Sequence, residues 1–173
     1  PSYLESLAPY SDGALIKVIL GQRRVGKSGL LHLVEADWRA RYPARQSAFI
    51  DKERDDWAGL KTGQDLVAAA RKLGGAGSER SLLLVDEVQE IEDLAGALRS
   101  LAAEGRWDIY ITGSKARLPS GELATLFAGR AITLVVHALS YAEFLSFHAC
   151  PDSDESLATY LRYGGLPYLA LLP

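Results

Sequence analysis

Cys150 is the only cysteine among 173 residues, and methionine is missing altogether. One thiol excludes an intrachain disulfide and is compatible with a reducing compartment; Cys150 reads as an inert thiol. Histidine is scarce too. His32, His137 and His148 share no metal-ligand spacing with one another or with Cys150, so a zinc site is not expected. Positive charge is not in excess: 19 Lys and Arg stand against 22 Asp and Glu, for a net charge of −3. That balance gives no bulk electrostatic case for nucleic acid or an anionic membrane, and Arg39, Arg41 and Arg45 read as a solvated helix end. Long apolar runs are lacking as well, interrupted by Arg130, His137 and Glu143, and none reaches the length of a bilayer span. No signal peptide opens the chain, so a cytoplasmic location and no membrane partner are expected. The first residue is Pro1 rather than methionine, and the last four, Ala170 to Pro173, are an apolar tail; both lead us to expect a fragment.

What is present is an ordinary globular composition, 48% hydrophobic and 24% charged, enough for one domain or one domain plus a fragment. Apolar runs predict strands over 14–20, 46–50, 81–85, 107–112 and 131–136. The run Ser81 to Val85 is continuous, as in a central parallel strand covered on both faces. Between the strands, helical spacing appears after Ser28 (Leu30, Leu31, Leu33, Val34), over Asp65 to Leu73, over Asp93 to Ala103 with Gly105 as a stop, and over Glu122 to Phe127. Gly74, Gly75, Gly77 and Ser78 read as a flexible turn. Strands alternating with helices imply right-handed βαβ units, hence an α/β three-layer sandwich. After residue 138 the pattern becomes purely helical. Ser140 and Glu143 have capping-box spacing, and Asp152 to Tyr163 reads as a helix stopped by Gly164-Gly165. We therefore divide the chain into a core, 1–138, and the start of a helical lid, 139–173.

The most specific stretch is Gly21-Gln22-Arg23-Arg24-Val25-Gly26-Lys27-Ser28, which fits the phosphate-binding loop G-x-x-x-x-G-K-[ST] at every fixed position. It lies between a predicted strand and a predicted helix, the context the motif needs. Glycines let the backbone wrap phosphates, so that N–H groups, continuing to Gly29 at the helix start, can point inward. Lys27 is expected at the β- and γ-phosphates and Ser28 on Mg²⁺. Arg23 and Arg24 are expected to be exposed, because such a loop binds through its backbone. Asp86-Glu87 directly follows the apolar strand, at the sheet edge where open parallel sheets bind ligands. Asp86 is the expected Mg²⁺ partner, and Glu87 the residue that orients or deprotonates the attacking water.

Together with Val85 to Ile91, Ile111-Thr112-Gly113-Ser114, Glu122 to Leu126 with Gly129-Arg130, and Tyr163 to Pro167, these motifs resemble AAA-type P-loop ATPases of bacteria and archaea. The likeness lies close to the archaeal ATPases and the signal-transducing ATPases with numerous domains. It covers nearly the whole chain and implies a P-loop core of sheet order 5-1-4-3-2. It also implies γ-phosphate sensing by Thr112 and Ser114, although this chain has Lys115 where the family often has Asn. Arg130 corresponds to the family's Gly-Arg: it supplies charge to the transition state, in cis or across a subunit, or it satisfies a helix end. Gly165 and Pro167 correspond to the segment where the lid meets adenine. In related ATPases a polar residue after the second strand can hold the catalytic glutamate away from the water; Asp51 and Glu53 are the candidates here, the other reading of this run of six charges being a solvated loop.

The expected activity is Mg²⁺-dependent ATP binding and hydrolysis, weak in a fragment. GTP is disfavoured because no Asn-Lys-x-Asp guanine motif exists, and a nucleotide kinase because Glu87 is better suited to activating water. The alternative is a slow ATP/ADP switch that signals through its lid to a C-terminal effector region. The effector, oligomer formation and a nucleic-acid partner stay open at this point.

Overall fold

The computed structural model describes residues 2–75, 79–114 and 129–167. The predicted helix Glu122 to Phe127, Lys115, Gly77, Ser78 and the tail 170–173 lie outside the described residues. Five strands form one all-parallel sheet: β1 (Ile16–Gly21), β2 (Ser47–Asp51), β3 (Ser81–Asp86), β4 (Trp107–Ser114) and β5 (Ala131–Val136). The order β2-β3-β4-β1-β5 is the expected 5-1-4-3-2 read from the opposite edge. Six helices accompany the sheet among the described residues: α1 (Ser2–Leu7), α2 (Lys27–Arg41), α3 (Gly63–Leu73), α4 (Leu94–Ala103), α5 (Tyr141–His148) and α6 (Asp154–Tyr163). Among the described residues no helix is long and apolar enough to cross a membrane.

Alternation along the strands builds two cores. Val18, Leu20, Leu83, Val85, Ile109 and Ile111 face α3 and α4, meeting Leu66, Ala70, Leu98 and Leu101. Ile19, Leu82, Leu84 and Tyr110 face α2, meeting Leu30, Leu31, Val34 and Trp38. Each fully buried leucine contributes about 1.5–3 kcal/mol, which is why these continuous apolar strands sit centrally. Leu33 is a correction: it is 57% exposed, because the arc through Leu30, Leu31, Val34 and Trp38 leaves it on the solvent side.

The other differences concern element ends. Asp65 does not begin α3; its side chain closes a capping box with Thr62, which starts the helix two residues earlier. Asp93 and Ser153 likewise serve as N-caps of α4 and α6. Strand β4 runs on to Ser114, two residues beyond the predicted 107–112. α1 carries no strong periodic signal and was not anticipated, yet its Leu7 is 2% exposed and joins the α2-side core.

The topology sets the site. β4 lies between β1 and β3, so its C-terminal end is flanked by the loop after β1 and the acidic pair at the end of β3. In register, Gly21 stands opposite Ser114, and Asp51 opposite Asp86.

Candidate functional site

The loop leaves β1 at Gly21 and enters α2 at Lys27. A Cβ on Gly21 would sit 2.7 Å from the Val136 carbonyl oxygen and 2.9 Å from Val25 Cγ2, so neighbouring β5 demands glycine there. Gly26 has φ 101° and serves as N-cap without a side-chain bond to the first turn of α2. Those N–H groups and the positive end of the helix dipole are therefore free of a side-chain cap, the arrangement that suits an anion. Arg24 also takes a left-handed φ of 67°. Val25 is buried and anchors the loop, whereas Gln22, Arg23, Arg24, Ser28 and Gly29 are exposed, in keeping with the expectation for the two arginines.

Lys27 is 4% exposed. Its Nζ donates to the Gln22 carbonyl at 3.2 Å and lies 3.3 Å from Glu87 Oε1. A cavity of about 440 Å³ opens here, lined by Arg23, Arg24, Gly26, Lys27, Ser28, Glu53 and Glu87, a size within the range of small-molecule sites. Lys27 and Ser28 are thus brought together with Glu87.

Asp86 is the last residue of β3 and is 3% exposed. Its Oδ1 accepts a hydrogen bond from the Thr112 hydroxyl. The same hydroxyl oxygen accepts from the Glu87 backbone N–H at 3.0 Å. Thr112, fully buried, is therefore committed to holding the acidic pair. Both hydrogen bonds recorded for the hydroxyl point at β3 and its exit. Glu87 takes φ 54°, a left-handed conformation unusual for glutamate, directly before a 3-10 turn, Val88–Glu90.

Glu87 is held by neighbours that sequence reading did not name. Gln89 Nε2 donates to Glu87 Oε2, and Gln89 Oε1 accepts from the Ser114 backbone N–H at 3.4 Å. Asp51 and Glu53 do not take that role. Asp51 Oδ1 accepts from the Glu53 backbone N–H at 3.0 Å, and Glu53 pairs with Arg23 at 3.3 Å across the cavity mouth. A short strand exit lets Asp51 cap its own turn, which draws it away from Glu87.

Arg130 lies far from this cavity in its own chain. It is exposed, precedes β5, and its carbonyl accepts from the Ile16 N–H at 2.9 Å, at the N-terminal edge of the sheet. The loop Gly21–Ser28 leaves the opposite edge, a strand length of about 20 Å away. The structure thus does not bring Arg130 together with the phosphate loop of its own chain. Gly165 is buried against the segment that leaves β5: its carbonyl accepts from the Leu139 N–H at 2.7 Å, and a Cβ would fall 2.0 Å from the Leu139 carbonyl oxygen. Gly164 has φ 78°. Both glycines are thus required by backbone geometry. Leu166 packs on the α2-side core that includes Val25, with Pro167 half-buried beside it.

A second unanticipated feature sits at the other end of the sheet. Lys17 and Asp108 form an ion pair with neither side chain exposed. Asp108 Oδ2 also accepts from the Asp12 backbone N–H at 2.8 Å, and the Lys17 ammonium donates to the Gly13 carbonyl at 3.4 Å. Burial lowers the Lys17 pKa and raises that of Asp108, while each charge opposes the shift of the other. The pair has no contact with the cavity.

Among the described residues no cluster of three or more His, Cys, Asp or Glu side chains is placed to hold a metal. The donors near the loop are the Ser28 hydroxyl and the Asp86 carboxylate. These are hard oxygen ligands, too few for an all-protein cage, and they suit a cation such as Mg²⁺ that keeps water and takes phosphate oxygens.

Comparison with known proteins fits this geometry. Residues 14–145 match the family model described as an AAA domain. The chain is 32% identical over 175 residues to an uncharacterized protein of Haemophilus influenzae, covering 98% of this chain and 44% of that one. It therefore spans less than half the length of that curated relative. Among solved structures it is similar in fold to PCH-2 of C. elegans, with a TM-score of 0.61 and 18% identity over 94% of this chain and 46% of that chain. It is similarly close to AMPPCP-bound DnaA from Aquifex aeolicus, with a TM-score of 0.62 and 16% identity over 98% of this chain and 57% of that chain. The chain belongs to the AAA domain family and has its P-loop α/β fold.

Proposed function

We propose that this chain binds ATP at the loop Gly21–Ser28 and hydrolyses it, with Glu87 as the base toward water. The observation that carries this reading is the convergence of Lys27, Ser28 and Glu87 on one cavity beside an uncapped helix N-terminus, with Asp86 next to Glu87 at the end of β3. The fold it shares with an AMPPCP-bound protein adds support.

In this reading the backbone of Gln22 to Gly29 cradles the phosphates and Lys27 donates to the β- and γ-phosphate oxygens. Ser28 and Asp86 hold Mg²⁺, which neutralises charge on those oxygens when bound. Thr112 keeps Asp86 turned toward the loop. A water oxygen attacks the γ-phosphorus while the bond to the β,γ-bridging oxygen breaks, its electron pair leaving with ADP. Glu87 takes the proton that the water loses. Arg130, on the far edge of its own sheet, supplies charge to the site of a neighbouring copy. Gly165 to Pro167 brings the lid to the adenine side of the cavity. In the longer proteins of the family this unit would signal to further chain beyond the lid.

ATP titration and turnover on the same chain test the reading. We expect saturable binding that needs Lys27, together with release of inorganic phosphate that depends on divalent cation and on Glu87. Binding without phosphate release would leave a nucleotide switch in place of an ATPase. Absence of binding would remove both.

A further inference from the structure

The carboxylate of Glu87 is gripped from two sides. One oxygen lies 3.3 Å from the Lys27 ammonium, and the other accepts from the amide of Gln89. The first grip cannot persist through the reaction, because Lys27 is the cation the γ-phosphate recruits. The second can. Gln89 lies on the short turn Val88–Glu90, anchored by Val88 at 0% exposure. Its other amide atom accepts the Ser114 N–H, at the end of the strand registered directly against Gly21. The side chain thus spans from the acidic carboxylate to the strand hydrogen-bonded to the phosphate loop, using its donor and its acceptor at once.

That geometry answers a specific need. A glutamate side chain retains several rotamers, and a base must be held within hydrogen-bond reach of its water. The left-handed backbone of Glu87 aims the side chain in one direction, but the carboxylate lies three torsions further out. After β2, Asp51 accepts from its own turn and Glu53 pairs with Arg23. Asp86, next to Glu87 in sequence, accepts from Thr112.

We infer that Gln89 is a positioning residue, which fixes the Glu87 carboxylate against the end of β4 so that it addresses the attacking water once Lys27 turns to phosphate. This rests on Glu87 being the base. Gln89 itself touches neither nucleotide nor water.

Single-turnover cleavage of γ-labelled ATP on excess chain tests it, since such a measurement reads slow rates, alongside binding of a non-hydrolysable ATP analogue. Gln89→Ala should lower the cleavage rate by about 10- to 100-fold, with analogue affinity unchanged. Gln89→Glu keeps length and shape but faces a carboxylate with a carboxylate, and should be slowed similarly; it serves if the alanine variant does not fold. In a Glu87→Gln background, Gln89→Ala should cause no further loss, because a residue acting through Glu87 has nothing left to position. Wild-type rates in both Gln89 variants, or an equal loss repeated in the Glu87→Gln background, would overturn the role. Wild-type cleavage by Glu87→Gln alone would instead show that Glu87 is not the base, and would fell the functional reading itself.

Discussion

Lys27 and Glu87 face each other at 3.3 Å across a nearly closed contact, the lysine side chain 3% and the glutamate side chain 11% exposed. The lysine that should grip phosphate and the glutamate that should activate water are thus neighbours, joined by charge. Their removal should have opposite signatures. Lys27→Ala should abolish nucleotide binding or weaken it severely while the chain remains folded. Glu87→Gln should bind as before and lose hydrolysis by roughly 10²-fold or more. Calorimetric titration with an ATP analogue, read beside phosphate release, checks both; unchanged affinity in folded Lys27→Ala would remove the central claim.

Thr112 offers a second test, because its hydroxyl serves Asp86 and the Glu87 N–H at once. Thr112→Val keeps the shape and leaves a buried N–H and a buried carboxylate each short of a partner. We expect a loss of about 1–3 kcal/mol in stability, together with slower hydrolysis per folded molecule. Thr112→Ser restores the hydroxyl and should recover most of both. Denaturant melts and turnover on the two variants decide it. A valine variant as stable as the parent would mean the hydroxyl contributes nothing to the frame.

How much of this was legible in the sequence follows the range of the interactions involved. The loop Gly21–Ser28 is a local device, its spacing fixed by the wrap around phosphate, so it reads from eight residues. The Asp86-Glu87 pair reads from the apolar strand before it. Thr112 does not: its role exists only because the sheet order places β4 between β1 and β3, a fact of long-range pairing. Gln89 carries no periodic or compositional mark; its meaning comes from the turn that points it at Ser114. Arg130 could be read as a basic residue beside a glycine, but not as lying on the far edge until the direction of β5 was known. The helix starts at Thr62, Asp93 and Ser153 were misjudged by one or two residues, since a capping side chain looks like a first helical residue from spacing alone.

Lys17 and Asp108 pose a question of stability rather than chemistry. A lysine inside a strand of buried residues looks like an interruption of the apolar run; the register of β1 on β4 sets Tyr110 opposite it, and Asp108, two residues earlier on β4, closes the ion pair. Lys17→Met leaves Asp108 buried and unpaired, and should cost about 3–5 kcal/mol. Adding Asp108→Leu removes the stranded charge and should recover a large part of that loss. Thermal unfolding of the single and double variants tests this. Because the pair sits at the edge away from the cavity, the double variant should bind nucleotide as the parent does.

Arg130 is where the topology makes its strongest demand. An arginine placed on the γ-phosphate is worth about 10³–10⁵ in rate, yet this one starts β5 at the N-terminal edge while the loop leaves β1 at the C-terminal edge. If it acts as such a finger, it does so on the site of another copy. Two consequences follow. Turnover per chain should rise with protein concentration, and Arg130→Ala should abolish that rise with little change in analogue affinity. Mixing supplies the decisive comparison. Arg130→Ala keeps an intact Glu87, whereas Glu87→Gln keeps an intact Arg130; each alone should be slow. Combined, the second can lend its arginine to the first, so the mixture should hydrolyse faster than the sum of its parts. A mixture no faster than that sum, with turnover independent of concentration, would assign Arg130 to the surface of the turn before β5 and leave the transition-state charge to Lys27.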